Sequence, residues 1–243
     1  MSESKVIAVF GAGSGLGRSV ALRFGREGFR VALVARRKDR LDALVEELSD
    51  EGIEAAAFPA DLSRPDQVPA LVAAIQSRFG RIDVVEYGPV RLDLTQYPAA
   101  TLDAATLQDL APMLLLTPVE VVRAVLPQWT ERGEGAFLLA QSYAATHPMP
   151  GASGVAPLMA ATRNYLYSLN AELTGTGIYA GALTIGALIS RSEGAALYLD
   201  DLPAGTDTTH IPVIDPDDLA ETYWSMYTDR DHVERFQPEL PAA

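Results

Sequence analysis

The stretch that most limits what this chain can become is residues 6–18, VIAVFGAGSGLGR, where a short apolar run stops at Gly11 and a helical pattern takes over after Gly15. It reads as a strand, a glycine turn and a helix start. Glycines at 11, 15 and 17 permit a tight turn, close approach of backbone to a phosphate group, and close packing of the helix on the strand. The spacing is G-x-x-x-G-x-G and differs from the G-x-G-x-x-G of long-chain dinucleotide folds. A second apolar run, RVALVA, arrives at Arg30, which completes the strand-turn-helix-strand context that such a glycine turn requires.

Apolar periodicity then alternates between strand and helix along the chain. Helical patterns cover residues 16–27, 39–51, 65–79, 156–173 and 215–227, and strand patterns cover 30–37, 54–58, 82–86, 136–141 and 179–185. Residues 104–130 are helical in pattern but contain Pro112 and Pro118, so a kink or two helices is expected. Alternation of this kind predicts an α/β fold: a single doubly wound Rossmann domain over residues 1–243, with a parallel sheet of about seven strands flanked by helices. Residues 191–214 have mixed periodicity with Gly194, Pro203, Gly205 and Pro212, and read as a mobile substrate lid. Within that lid Leu197, Tyr198, Leu199 and Leu202 favour an apolar substrate.

Charge narrows the partners. A net charge of −13 disfavours nucleic acid and anionic membrane, so a phosphate ligand must be held by local arginines. With no cysteine, disulfides, zinc thiolates and cysteine nucleophiles are excluded together, and no metal site is expected. No apolar segment of signal or membrane-spanning length precedes the first strand, which points to a cytoplasmic protein. Arg36 and Arg37 close the second strand, with Arg18 and Ser14 nearby in the glycine turn and first helix. At that strand end an acid would accept a ribose 2′-hydroxyl, whereas arginine accommodates a 2′-phosphate, so the pair favours NADP. Asp61, after the third strand, suits either an acceptor for the adenine amino group or a simple turn residue.

Together, Gly11 to Gly17, Arg36, Asp61-Leu62, Ile82-Asp83-Val84 and two later segments give a chain that resembles the short-chain dehydrogenases/reductases over essentially its whole length. The resemblance implies an NADP-binding oxidoreductase acting on a small molecule and forming a homodimer or homotetramer through helices at 104–130 and 156–173. The cofactor positions it implies are Gly11, Ser14, Gly15, Leu16, Gly17, Arg36, Arg37, Asp61, Leu62, Gly88, Gly186, Ile189 and Ser190. Where that family has Asn-Asn-Ala-Gly after strand four, this chain has Tyr87-Gly88-Pro89-Val90, which removes a support of the cofactor ribose. The family's Pro-Gly-x-x-x-Thr segment becomes Ile185-Gly186-Ala187-Leu188-Ile189-Ser190.

The acid-base residues differ more. Ser142 falls at the family's serine, but Val155, Met159 and Leu114 fall at its tyrosine, lysine and asparagine. Register cannot restore the pair, because the chain's two lysines are Lys5 and Lys38, both ahead of the third strand. Candidates for a replacement proton donor are Ser142 and Tyr143, with His147, Arg163 and Tyr165 further off. Three readings follow: an NADP-dependent oxidoreductase with an altered proton path, a non-catalytic NADP-binding sensor or partner subunit, and a lyase, cyclase or isomerase working without net redox.

Overall fold

Strand β1, Val6–Phe10, is buried at every residue, as a strand covered by helices on both sheet faces must be. In the computed structural model, which describes residues 4–90, 97–202 and 207–239, it is an inner strand of a seven-stranded sheet. The other strands are β2 (Arg30–Ala35), β3 (Ala55–Pro59), β4 (Val84–Tyr87), β5 (Gly135–Ser142), β6 (Ile178–Ile185) and, from later in the chain, β9 (Glu234–Gln237). Their order is β3-β2-β1-β4-β5-β6-β9, and every neighbouring pair is parallel. The order reverses between β1 and β4, so a crevice opens at the carboxyl ends of those two strands.

Helices α1 (Leu16–Arg26), α2 (Lys38–Asp50) and α8 (Pro216–Asp229) pack one face with Ile7, Val9, Leu33 and Leu138. Helices α3 (Val68–Phe79), α5 (Thr117–Arg132) and α6 (Ala156–Glu172) pack the other, with Ala8, Phe10, Val85 and Phe137. The helical pattern at 104–130 is divided at Pro112, as two helices separated by a π segment. Helix α4 (Ala104–Ala111), a π turn (Pro112–Leu116) and α5 form one run, Ala104–Arg132, and the π turn accommodates Pro112 within the helix. That run is long and apolar enough to cross a bilayer by length and composition. Here it lies on the sheet, burying Val121, Val122, Val125 and Trp129.

Three expectations shift. Strand four was expected at 82–86 but begins at Val84, because the Asp83 carboxylate accepts from the Val6 N–H at 2.8 Å and pins the start of β1. The third crossover opens with a 3₁₀ turn at Pro65–Gln67 before α3. Residues expected to form only a lid contain short strands β7 (Leu188–Ile189) and β8 (Val213–Ile214), paired in parallel, and helix α7 (Glu193–Asp200). Pro203 and Gly205 of that lid lie outside the described residues.

Candidate functional site

The glycine turn is built for close approach. Gly11 has φ +102°, and a Cβ there would lie 2.6 Å from the Pro89 nitrogen, so only glycine lets β1 pass beneath residues 88–89. A Cβ on Gly17 would sit 2.9 Å from the Ala12 Cα. No side chain caps α1; Arg18 N–H donates to the Gly13 carbonyl and Ser19 N–H to the Gly15 carbonyl, at 3.1 and 3.2 Å. Helix geometry therefore leaves the N–H groups of Leu16 and Gly17 uncommitted at the positive end of the helix dipole, where a diphosphate fits. Ser14 stands exposed beside them, and Gly15 is buried under the lid, with Ser192 directly above.

The arginines around this turn differ in availability. Arg18 is bound by both Glu47 oxygens, and Arg37 by both Glu193 oxygens, so neither fork is open. Arg36 is exposed, makes no hydrogen bond among the described residues, and lies close enough to Asp61 to help hold its carboxyl low. Asp61 itself accepts from the Ser63 N–H at 3.0 Å and the Ser63 hydroxyl at 2.8 Å, and these bonds are the first cause of its lowered pKa. It is thus committed to its turn, and the adenine role has to share it. Leu62 is buried, and its carbonyl accepts from the Thr117 hydroxyl at 2.8 Å.

Across the crevice, Gly88 N–H donates to the Phe10 carbonyl at 2.9 Å and Gly186 N–H to the Gln237 carbonyl at 2.8 Å. Ser190 N–H bonds the Ile214 carbonyl at 2.9 Å, and Ile189 reaches towards Gly15. Tyr143 packs against Gly186, its ring atoms 3.6 Å from where a Cβ would stand, and stacks in parallel on His147 with centroids 4.0 Å apart. Ser142 Oγ accepts from the Ala144 N–H at 3.2 Å, which leaves its own hydrogen free to donate. Ser142 and Tyr143 are therefore brought beside the Gly186 segment, at the end of β5 and in the turn after it.

Leu114 and Met159 do meet. They line one cavity of about 20 Å³, the size of a single water, together with Tyr87, Pro89, Gln141 and Thr162. The π turn exposes carbonyls beside it, and these are satisfied by protein: Thr162 Oγ donates to the Leu114 carbonyl and Tyr87 Oη to the Met113 carbonyl, both at 2.6 Å. Val155 directly precedes α6. Arg163 is not available to tune a phenol near Tyr143. Its guanidinium is bound to Glu234 on β9 and donates to Tyr167 Oη at 2.9 Å. Burial raises the Glu234 pKa, but the donors Arg163, Thr184 and Tyr167 outweigh it and hold the carboxyl low. Tyr165 packs on the core, and burial raises its pKa.

Sequence reasoning missed two acids. Glu86 points beneath Gly88, with a Cβ there 2.5 Å from Glu86 Oε1, and neither carboxylate oxygen has a hydrogen-bond partner among the described residues. Full burial pushes its pKa up to about 8, so it carries a proton at neutral pH. An acid inside the apolar run IDVVEY was the available signal. Glu193 was hidden in the lid, and only the fold reveals that it reaches Arg37.

Comparison with known proteins agrees with this architecture. Residues 5–195 match the family described as short chain dehydrogenase. A short chain dehydrogenase of Pseudocercospora fijiensis is 34% identical over 192 residues, which is 78% of this chain but 61%, under two thirds, of that relative. A sulfoacetaldehyde reductase of Chromohalobacter salexigens is 29% identical over 93% of this chain and 89% of its own. Among solved structures, a short-chain dehydrogenase from Sphingobium yanoikuyae in complex with NADPH superposes with a TM-score of 0.78 at 28% identity, covering 96% of this chain and 88% of that one. An actinorhodin polyketide ketoreductase with NADPH reaches a TM-score of 0.85 at 24% identity, over 96% and 95% of the two chains, a likeness of fold.

Proposed function

The chain belongs to the short-chain dehydrogenase family, and we propose that it is an NADP(H)-binding oxidoreductase whose proton-donating site has been rebuilt around Ser142 and Tyr143. One observation carries this reading: the phosphate cradle at Gly11, Gly15 and Gly17 is retained, while Leu114 and Met159 close a small cavity where the family's acid-base group would stand. Arg36 with its unoccupied guanidinium selects the 2′-phosphate. Gly88, Gly186, Ile189 and Ser190 hold the nicotinamide end, and Leu62 and Asp61 border the adenine.

NADPH, when bound, supplies the hydride. Ser142 then donates its free hydrogen to the substrate's acceptor atom, and the Tyr143 hydroxyl, its ring fixed between Gly186 and His147, delivers the proton. Val155, Met159 and Leu114 take no part in proton transfer. The lid cleft of about 570 Å³, lined by Leu188, Ala195, Ala196, Leu199 and Val213 among others, favours a small apolar substrate.

A second reading, NADP binding without turnover, is favoured by the sealing of the π-turn carbonyls by Thr162 and Tyr87. Titration with NADPH followed by nucleotide fluorescence, then a panel of enones, imines and ketones followed by loss of absorbance at the nicotinamide band, separates the two. Binding with oxidation of any class supports the oxidoreductase; binding without oxidation across the panel favours the second reading. We place the protein as a cytoplasmic homodimer or homotetramer joined through Ala104–Arg132 and α6, where Leu116 is 46% exposed.

A further inference from the structure

Helix α7, which lines the lid cleft, begins against the glycine turn. Ser192 caps it, accepting from the Ala195 N–H at 3.0 Å and donating to the Ile189 carbonyl at 2.7 Å. The same serine is seated on the glycine turn, its Cβ 2.7 Å from where a Gly15 Cβ would be. The next residue, Glu193, takes both arms of the Arg37 fork, with Nη1 to Oε1 at 3.0 Å and Nη2 to Oε2. Arg40 adds a second positive charge near that carboxylate. Arg36, one residue away, keeps its guanidinium unbonded among the described residues.

A carboxylate and a phosphate use the same planar fork, and one guanidinium cannot give two parallel bonds to both. We infer that Glu193 is a specificity-determining residue: it occupies Arg37 in competition with the cofactor's 2′-phosphate, so that binding of the phosphorylated nucleotide unties the start of the lid. This rests on the NADP reading above and adds to it a cost that NAD(H) does not meet. The 2′-phosphate has to displace Glu193 to use Arg37; a 2′-hydroxyl leaves the contact alone. Arg36 gives first contact and Arg37 completes the grip once released.

The contact is half exposed, at 48% for Arg37 and 33% for Glu193, so its strength is that of a surface ion pair. Removing the competing charge with Glu193→Gln should tighten NADPH by about two- to fivefold and leave NADH unchanged, read as dissociation constants by nucleotide fluorescence. Adding Arg37→Gln should abolish that gain. Amide exchange across residues 193–200 of the unaltered chain should quicken with NADPH and not with NADH. Equal shifts for the two nucleotides, no shift in NADPH affinity, or exchange slowed by NADPH would each overturn the inference while leaving NADP binding intact. Failure of the unaltered chain to bind either nucleotide would instead refute the NADP reading itself, and this inference with it.

Discussion

Thr162 on α6 donates its hydroxyl hydrogen to the carbonyl of Leu114 in the π turn, 2.6 Å away, and so ties α6 to the run Ala104–Arg132. A π turn leaves carbonyls without their helical donors, and in a buried setting each needs another. Thr162 is 2% exposed and supplies one; Tyr87 supplies the next at Met113.

Thr162→Val keeps the shape and removes the donor, leaving the Leu114 carbonyl buried and unpaired. The expected loss is about 1–3 kcal/mol in urea unfolding, with the slope unchanged, and Thr162→Ser should recover most of it. A valine variant as stable as the parent would mean that the carbonyl has another donor.

Glu86 sets a pH dependence that runs opposite to most carboxylates. Its folded-state pKa of about 8 stands above the ordinary 4.5, so the folded chain keeps a proton that the unfolded chain releases between those values. Stability is complete below about pH 4.5, declines as pH rises towards 8, and is level above that. The full span corresponds to roughly 5 kcal/mol at about 1.4 kcal/mol per pH unit. Glu86→Gln should flatten this decline, so that the variant gains on the parent at pH 8.5 relative to pH 5. Parallel stability curves for the two proteins would show that Glu86 does not carry the proton.

How much of this the sequence discloses depends on whether the signal is local. The cradle is legible because Gly11, Gly15 and Gly17 are close in sequence and the chemistry of a phosphate turn demands them. Strand β9 is not legible: ERFQ has no apolar alternation, and what buries Glu234 is Arg163, 71 residues away, together with Thr184 and Tyr167. Arg18, Arg37 and Arg163 all read as free cations in sequence, since nothing local marks Glu47, Glu193 and Glu234 as their partners. That the interruption at Pro112 takes the form of a π turn is not legible for the same reason, because a widened turn needs outside donors, and Thr162 and Tyr87 provide them.

Arg36 should dominate the choice of nucleotide. Arg36→Asp places a carboxylate where the 2′-phosphate would lie and offers an acceptor to a 2′-hydroxyl. The variant should lose NADPH affinity by one to two orders of magnitude and gain on NADH, as measured by calorimetry. Equal affinity for both nucleotides in the parent would remove Arg36 from this role.

Assembly is testable without substrate. The exposed Leu116 at the end of the π turn lies on the run Ala104–Arg132 through which two copies are expected to join. Light scattering at micromolar concentration should give a dimer or tetramer, and Leu116→Glu should lower that mass. A monomeric parent would exclude this interface.

The last prediction concerns the rate of ordinary ketone reduction, which should be very slow or absent in the parent. A positioned general acid contributes about 10² to 10⁴ in rate, and the positions that would carry it and tune it hold Val155 and Met159. Arg163, the cation the sequence offers for such a role, is held by Glu234. Restoring the pair with Val155→Tyr and Met159→Lys has a structural opening: Met159 and Gln141 line the same cavity, and Gln141 Oε1 has no donor among the described residues, so a lysine ammonium there would find an acceptor. The double variant should therefore gain ketone reduction over the parent, whereas Val155→Tyr alone should gain less, its phenol lacking the neighbouring charge. Ser142→Ala in the double variant should remove most of the gain. If the parent already reduces simple ketones at ordinary rates, Leu114 and Met159 do not mark the reacting centre, and Tyr143 with His147 becomes the first place to substitute.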